Sequence, residues 1–219
     1  PFTDHKDLHA KRSRIITRAE GVYIFEADGH RILDGMSGLW CVNAGYGREE
    51  IVAAATAQMQ ELPYYNNFFQ CSNQPAIELA KALVDVTEER FNLVFFTNSG
   101  SEAIDTALKI VMAYNNARGE PGRIRMVSRE RAYHGVTVAA GGLTSTPANT
   151  AHFDAPLDAL GIVHTDAPFY YRECLDGESE EQFVDRIVDN LEKLILDEGP
   201  ETIAAMDPFM SPGWSRANP

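Results

Sequence analysis

The chain has little positive charge. Its 19 Lys and Arg residues face 32 Asp and Glu residues, which gives a formal net charge of -13 at pH 7. Nucleic acids and anionic membrane surfaces are held by cationic side chains, so this balance argues against both as partners. No apolar run approaches the length of a membrane span, and the first residues lack the apolar core of a signal peptide. We therefore expect a cytoplasmic protein.

Cysteines and closely spaced histidines are also scarce. The three cysteines, Cys41, Cys71 and Cys174, are odd in number and far apart, which indicates reduced thiols rather than a disulfide framework. The six histidines lack the close spacing of metal ligands, so we expect no metal site. A Gly-x-Gly-x-x-Gly motif with an acidic residue about 20 positions on is absent, which disfavours a Rossmann-type nucleotide binder.

What is present predicts an α/β fold. Residues 14–36 form short apolar runs around an Asp28-Gly29 turn, which is typical of an antiparallel hairpin. The glycine-rich segment that follows, around Trp40, is interpreted as a loop. Later residues predict helices over 48–62, 75–89, 101–117 and 183–196, and strands over 91–96, 124–127, 161–164 and 202–206. Such alternation indicates a mostly parallel sheet with helices on both faces, whose ligands bind at the carboxyl ends of the strands.

One predicted strand leads into a short polar turn, Ser99-Gly100-Ser101, before a helix. The first N–H groups of a helix are unpaired and lie at the positive end of its dipole, which favours a phosphate group. Gly100 would allow close approach of the anion, and the serine hydroxyls could donate hydrogen bonds to it. The same residues also fit a plain helix cap, and taken alone they favour that alternative.

Two aromatic segments leave similar alternatives open. Tyr133 precedes His134 and Gly135 just after a predicted strand, where its ring could lie flat on a planar ligand or could be an ordinary core or surface aromatic. Residues 64–69, with sequence Tyr-Tyr-Asn-Asn-Phe-Phe, fit neither a helix nor a strand. This aromatic loop could cover a hydrophobic core, or it could contact a ligand or another subunit.

Together, residues 97–103 and 132–137 resemble the class III aminotransferases, which bind pyridoxal phosphate on a fold-type I scaffold. Residues 34–48 and 62–69 are similar to the ω-amino acid or amine:pyruvate branch of that family. The resemblance runs in order from residue 1 to residue 206. It implies an N-terminal lobe segment with active-site loops over 1–70, part of the large cofactor-binding domain over 71–206, and an off-pattern tail over 207–219.

The resemblance also implies roles for individual residues. The residues implied to bind the cofactor are Ser99, Gly100 and Ser101 at the phosphate, Tyr133 stacked on the pyridine ring, and His134 and Gly135, which shape that turn. Trp40, Tyr65 and Phe68 would line the substrate pocket, partly across the interface of a homodimer. The implied reaction moves an amino group from an ω-amino acid or amine to pyruvate in ping-pong half-reactions.

The resembling part of the sequence does not contain one residue that this chemistry needs, the lysine that forms a Schiff base with the cofactor. The five lysines are Lys6, Lys11, Lys81, Lys109 and Lys193. None matches the family's Schiff-base lysine, which the resemblance places after residue 206. We therefore expect an incomplete, N-terminal part of a fold-type I aminotransferase that is inactive alone. The alternative is a non-catalytic remnant that binds phosphate or dimerises.

Overall fold

A computed structural model describes residues 4–87, 91–150 and 157–206. The described residues divide into two compact units, one up to Val94 and one from Phe95. The predicted tail over 207–219 lies outside the described residues.

The first unit is built on a three-stranded antiparallel sheet. Its strands, in the order β1-β2-β3, are β1 (Ile16–Glu20), β2 (Tyr23–Glu26) and β3 (Arg31–Leu33). Its helices are α1 (His5–Lys11), α2 (Ser37–Trp40), α3 (Glu49–Glu61) and α4 (Gln74–Val86). The Asp28 carboxylate accepts a 2.9 Å hydrogen bond from the His30 N–H and closes the β2–β3 turn. The predicted hairpin is therefore confirmed.

Local signals set the ends of α4. The Asn73 side chain accepts a 3.1 Å hydrogen bond from the Ala76 N–H, and Pro75 follows in the first turn, where its missing N–H costs nothing. The helix ends at Val86 because Thr87 leaves the helical conformation. This end is three residues earlier than the predicted Glu89, which lies outside the described residues.

The second unit contains a parallel sheet with strand order β5-β4-β6. Its strands are β4 (Arg125–Arg129), β5 (Ile162–Thr165) and β6 (Ile203–Met206). Its helices are α5 (Gly100–Ala117), α6 (Val138–Leu143), α7 (Pro147–Thr150), α8 (Leu157–Leu160), α9 (Tyr170–Glu173) and α10 (Glu180–Glu198). The predicted alternation and the parallel pairing are both confirmed.

The core of the second unit lies between the sheet and its helices. Met126, Leu143 and Ile162 are buried together. Helix α5 packs there through Ile104, Leu108 and Val111, whose spacing puts them on one helical face. A Cβ atom at Gly142 would lie 2.7 Å from the Cδ1 atom at the end of the Ile162 side chain, so α6 lies close to β5 here.

An ion pair fixes the segment before α10. The Arg186 guanidinium donates to both carboxylate oxygens of Glu178, at 2.7 and 2.9 Å, and to the Glu173 carbonyl at 2.9 Å. These bonds to Arg186 lower the pKa of Glu178 to about 2. Ser179 and Gln182 then form a reciprocal capping box at the helix start. We call the Glu178–Arg186 pair the α10 clamp.

The predicted strand over 91–96 is wrong. Residues 91–97 have neither helix nor strand structure, and Leu93 and Phe95 are 89% and 72% exposed. A strand exists through hydrogen bonds to a neighbouring strand, and an apolar run does not supply that neighbour. In the part of the chain that the structure describes, no strand pairs with this run.

Two further predictions concern the state of the three cysteines and the presence of membrane-spanning segments. Cys41, Cys71 and Cys174 are free thiols, as predicted. Among the described helices, none combines the length and the apolar character that a membrane crossing requires.

Candidate functional site

The Ser-Gly-Ser turn, residues 99–101, begins helix α5. Ser99 is the N-cap, and its hydroxyl oxygen accepts a 3.2 Å hydrogen bond from the Glu102 N–H. The Glu102 carboxylate in turn accepts a 2.8 Å bond from the Asn98 N–H. The helix-cap alternative is therefore correct for Ser99. This bond uses the oxygen of the Ser99 hydroxyl and leaves its proton for another acceptor.

The same turn retains the features that an anion requires. Among the described residues, no acceptor bonds the backbone N–H of Gly100 or of Ser101. A Cβ atom built on Gly100 would have nothing within 4 Å, so no described residue crowds this side of the turn. Behind them runs α5, which is 18 residues long and directs the positive end of its dipole toward this space.

Ser101 joins this turn to a second one, the tyrosine turn, residues 133–135. The buried Ser101 hydroxyl oxygen accepts a 3.0 Å hydrogen bond from the Val136 N–H. At Gly135, φ is +145° and a Cβ atom would lie 2.4 Å from that oxygen and 2.9 Å from the Ser101 Cα. Only glycine permits this contact. The structure therefore brings together the two turns that the sequence singled out.

Tyr133 lies between two anchored residues. Ala132 and His134 on either side of it are buried, whereas Tyr133 is 37% exposed. The Ala132 carbonyl accepts a 3.0 Å bond from the Ser145 N–H, and the His134 N–H donates to the Thr144 hydroxyl at 2.9 Å. The Tyr133 ring thus extends from a fixed backbone beside the Ser-Gly-Ser turn.

The His134 ring is fixed from behind by Ser128. The buried Ser128 hydroxyl donates to the Leu143 carbonyl at 2.8 Å and lies 3.2 Å from Nε2 of His134. The oxygen of that hydroxyl can also accept a hydrogen bond, so an Nε2–H of His134 can donate to it. Nothing in the sequence indicates that Ser128 has this role, because the residue lies within strand β4 and belongs to no motif.

Asp105 is a second residue that the sequence did not single out. One of its carboxylate oxygens accepts from the Thr137 hydroxyl at 2.8 Å and from the Ala140 N–H at 3.2 Å. Asp105 follows Ser101 by four residues and so lies on the same face of α5. The two residues together connect α5 to the start of α6.

In the first unit, Trp40 ends the one-turn element α2, which we call the tryptophan turn. Most of the predicted loop is irregular, as expected, but residues 37–40 form a single turn of left-handed backbone within it. Their φ values are 50°, 61°, 64° and 68°, and the turn closes by a 2.8 Å bond from the Trp40 N–H to the Met36 carbonyl. Left-handed helical backbone costs about 1–2 kcal/mol for each residue with a Cβ atom. Of the four residues, Gly38 alone avoids that cost.

Asp34 holds the tryptophan turn in this conformation. Its carboxylate accepts hydrogen bonds from the Gly38 N–H at 2.7 Å, the Met36 N–H at 3.1 Å and the Tyr46 hydroxyl at 2.7 Å. The bond from Tyr46 lowers the pKa of Asp34, and the backbone N–H groups lower it further. The same contact raises the pKa of Tyr46.

The aromatic loop, residues 64–69, has neither helix nor strand structure, as predicted. Its rings are exposed within the first unit: Phe68 is 73% exposed and Tyr65, like Trp40, is 51% exposed. They therefore cover no core within the described part of that unit.

Comparison with solved structures defines the class of protein. An omega transaminase from Pseudomonas jessenii in complex with PMP matches with a TM-score of 0.91 and 43% sequence identity, over 96% of this chain and 47% of that chain. The second unit, with its parallel sheet and Ser-Gly-Ser turn, is thus part of a fold-type I pyridoxal-phosphate enzyme fold. A family model, aminotransferase class-III, matches residues 6–207, and the chain belongs to this family.

Two relatives show how much of the family's length is present. A putrescine–pyruvate aminotransferase from Pseudomonas aeruginosa is 51% identical over 205 residues, which are 94% of this chain and 44% of that protein. A mitochondrial gamma-aminobutyrate transaminase from Oryza sativa is 45% identical over 97% of this chain and 42% of its own length. The chain therefore spans less than half of these relatives. The predicted family, its fold and its cofactor, pyridoxal phosphate, are confirmed.

Proposed function

We propose that the complete protein moves an amino group from an ω-amino acid or amine to pyruvate through pyridoxal phosphate, in ping-pong half-reactions. The observation that carries this proposal is the junction of the Ser-Gly-Ser turn with the tyrosine turn through Ser101 and Gly135. The similarity to a putrescine–pyruvate aminotransferase and to omega transaminases supports the choice of donor and acceptor.

The residues of this chain fit the cofactor. The unbonded N–H groups of Gly100 and Ser101 would donate to its phosphate, together with the hydroxyl protons of Ser99 and Ser101. The Tyr133 ring would lie against the pyridine ring of the cofactor. His134 and Gly135 would hold the backbone from which the Tyr133 ring extends. When bound, pyridoxal phosphate supplies the carbonyl that takes up the amino group and the ring that accepts the electron pair.

Trp40, Tyr65 and Phe68 are proposed as the substrate-binding residues. Their exposed rings can give apolar contact to the carbon chain of an amine, and Trp40 would form one wall of the pocket. We expect Trp40→Ala to change the preference between an aromatic amine and a short aliphatic diamine about tenfold. Steady-state kcat/KM for the two donors measures this, and an unchanged ratio would contradict the role of Trp40.

The lysine that links the cofactor to the enzyme is proposed to lie outside these 219 residues. Lys81, Lys109 and Lys193 lie on α4, α5 and α10, as the sequence predicted. Lys81 is exposed and pairs with Asp85 one helical turn away. None of the five lysines is part of the Ser-Gly-Ser turn or the tyrosine turn.

Assembly is proposed from exposed apolar side chains. Phe69 and Leu93 are 93% and 89% exposed within the first unit, so these apolar side chains need cover from residues outside it, either of the same protein or of a second subunit. We propose a cytoplasmic homodimer, and sedimentation of the protein expressed from its complete reading frame would measure its mass.

One experiment compares two polypeptides: the protein from the complete reading frame and residues 1–219 alone. Each is incubated with pyridoxal phosphate, pyruvate and a series of amines, and the alanine formed is measured. We expect alanine from the complete protein and none from the shorter chain. If the complete protein binds the cofactor but forms no alanine with any donor, the non-catalytic alternative replaces the proposed function.

A further inference from the structure

The tryptophan turn has a backbone that its sequence does not favour. Ser37, Leu39 and Trp40 all have φ between 50° and 68°, a region that residues with a Cβ atom rarely adopt in succession. Such a conformation persists only where the surroundings impose it, and it often marks a functional position. Trp40, whose ring is half exposed, is the last residue of this turn.

The Asp34 carboxylate imposes this left-handed conformation through hydrogen bonds to the backbone. Both of its carboxylate oxygens are used: one accepts from the Met36 N–H and the other from the Gly38 N–H. These donors lie on the two sides of Ser37, where the left-handed backbone begins. A charged acceptor shared by two backbone donors makes stronger hydrogen bonds than a neutral one.

Tyr46 connects this anchor to the sheet. Its hydroxyl donates to the same Asp34 oxygen that receives the Gly38 N–H. Its backbone pairs with Gly21 between β1 and β2, through hydrogen bonds of 2.7 and 3.1 Å. A Cβ atom at Gly38 would lie 3.0 Å from the Tyr46 hydroxyl, so the tryptophan turn is seated directly on this side chain.

We propose that Asp34 and Tyr46 are positioning residues, which hold the Trp40 ring in one orientation and thereby determine which amine donors are accepted. This inference rests on the proposed function, specifically on Trp40 as a wall of the substrate pocket. Asp34 and Tyr46 act through Trp40, because their side chains are occupied by the tryptophan turn and by each other.

The first test is a double-mutant cycle in the protein from the complete reading frame. Donor preference is the ratio of kcat/KM for an aromatic amine to that for a short aliphatic diamine. We expect Asp34→Asn and Tyr46→Phe to shift the ratio in the same direction as Trp40→Ala, by about three- to tenfold, and to shift it no further once Trp40 is alanine. Tyr46→Phe loses a single hydrogen bond, so it keeps the test valid if Asp34→Asn does not fold.

Asp28→Asn is the matched control. Asp28 also accepts a backbone hydrogen bond within a turn of the first unit, from the His30 N–H at 2.9 Å, but its bond closes the hairpin and not the tryptophan turn. We expect its donor preference to equal that of the parent. A shift as large as that of Asp34→Asn would mean that any loosened turn has this effect, and it would overturn the inference.

The second test measures the environment of the Trp40 ring by ¹⁹F NMR and does not depend on catalytic activity. With 5-fluorotryptophan placed at position 40, we expect one narrow ¹⁹F resonance in the parent and in Asp28→Asn. In Asp34→Asn and Tyr46→Phe we expect a shifted or broadened resonance. An unchanged resonance in both variants would overturn the inference.

The failures can be told apart. If Trp40→Ala changes donor preference and the two positioning variants do not, the inference fails alone. If Trp40→Ala leaves the preference unchanged while alanine still forms, the pocket role of Trp40 fails and the inference fails with it. A loss of the effect of Asp34→Asn in the Trp40→Ala background supports the inference.

Discussion

The two units fix their candidate functional residues in different ways. In the second unit, Tyr133 and Ser101 adjoin buried residues such as Ala132 and Ala140. In the first unit, Trp40 is half exposed, and its turn is held by hydrogen bonds to the Asp34 carboxylate. Packed positions respond to added volume, whereas positions held by polar groups respond to loss of a charge or a donor. Substitutions can therefore break one unit's arrangement and leave the other's intact.

The largest effect is expected from Gly135→Ala in the second unit. The new methyl group would lie 2.9 Å from the Ser101 backbone and from the Ala140 side chain, at a residue whose φ is +145°. We expect a loss of about 1–3 kcal/mol in the free energy of unfolding from overpacking. Separation of the two turns should also weaken pyridoxal phosphate binding at least about tenfold, because the donors no longer converge. Urea unfolding and an absorbance titration measure the two quantities.

Gly122→Ala is the control for that substitution. A Cβ atom at Gly122 would have nothing within 4 Å, and its φ is not in the left-handed region. It should leave both stability and cofactor binding near the parent values. If Gly135→Ala behaves like Gly122→Ala, the close contact between the two turns is not needed for the site.

A smaller effect separates the two serines of the Ser-Gly-Ser turn. Ser101→Ala leaves the Val136 N–H without its acceptor, and the loss of this part-buried hydrogen bond costs about 0.5–1.5 kcal/mol. Ser99→Ala removes a helix cap, which costs about 1 kcal/mol. Both should weaken cofactor binding, and Ser101→Ala should weaken it more. Equal effects would indicate that capping, and not the junction of the turns, is the main contribution.

The smallest effect is a pH dependence in the α10 clamp. The pKa of Glu178 falls from 4.5 to about 2 on folding, so its bonds to Arg186 stabilise the folded chain above pH 4.5. That contribution is lost as the pH falls from 4.5 to about 2. We expect Glu178→Gln to be less stable than the parent near neutral pH and the difference to shrink across this range. Urea unfolding at several pH values checks it, and a constant difference would contradict the clamp.

The sequence predicted those elements whose signals are local. The Asp28-Gly29 hairpin, the N-terminus of α5 and the parallel order of later strands all follow from turn residues and from periodicity over a few positions. The Ser-Gly-Ser turn and the tyrosine turn were also found, because small polar and aromatic residues after a strand are visible without tertiary information.

What the sequence could not predict depends on partners distant along the chain. Residues 91–96 have the composition of a strand, but strand formation requires a neighbour. Ser128 and Asp105 carry no motif, and their importance follows only from the residues they contact. The tryptophan turn was predicted as part of a loop because the segment is rich in glycine, and its left-handed backbone depends on hydrogen bonds to the Asp34 carboxylate, which the sequence does not reveal.

The junction of Ser101 with Val136 has a consequence for folding. The two residues are 35 positions apart, so the hydrogen bond between them closes a long loop and forms only once helix α5 and strand β4 are in place. An unfolded chain therefore presents no preformed binding site, and pyridoxal phosphate should bind the folded state alone. By mass action, cofactor at a hundredfold excess over its dissociation constant would add about 2.7 kcal/mol to the free energy of unfolding. The concentration of pyridoxal phosphate in the cell would then help to determine how much of this protein is unfolded and open to proteolysis.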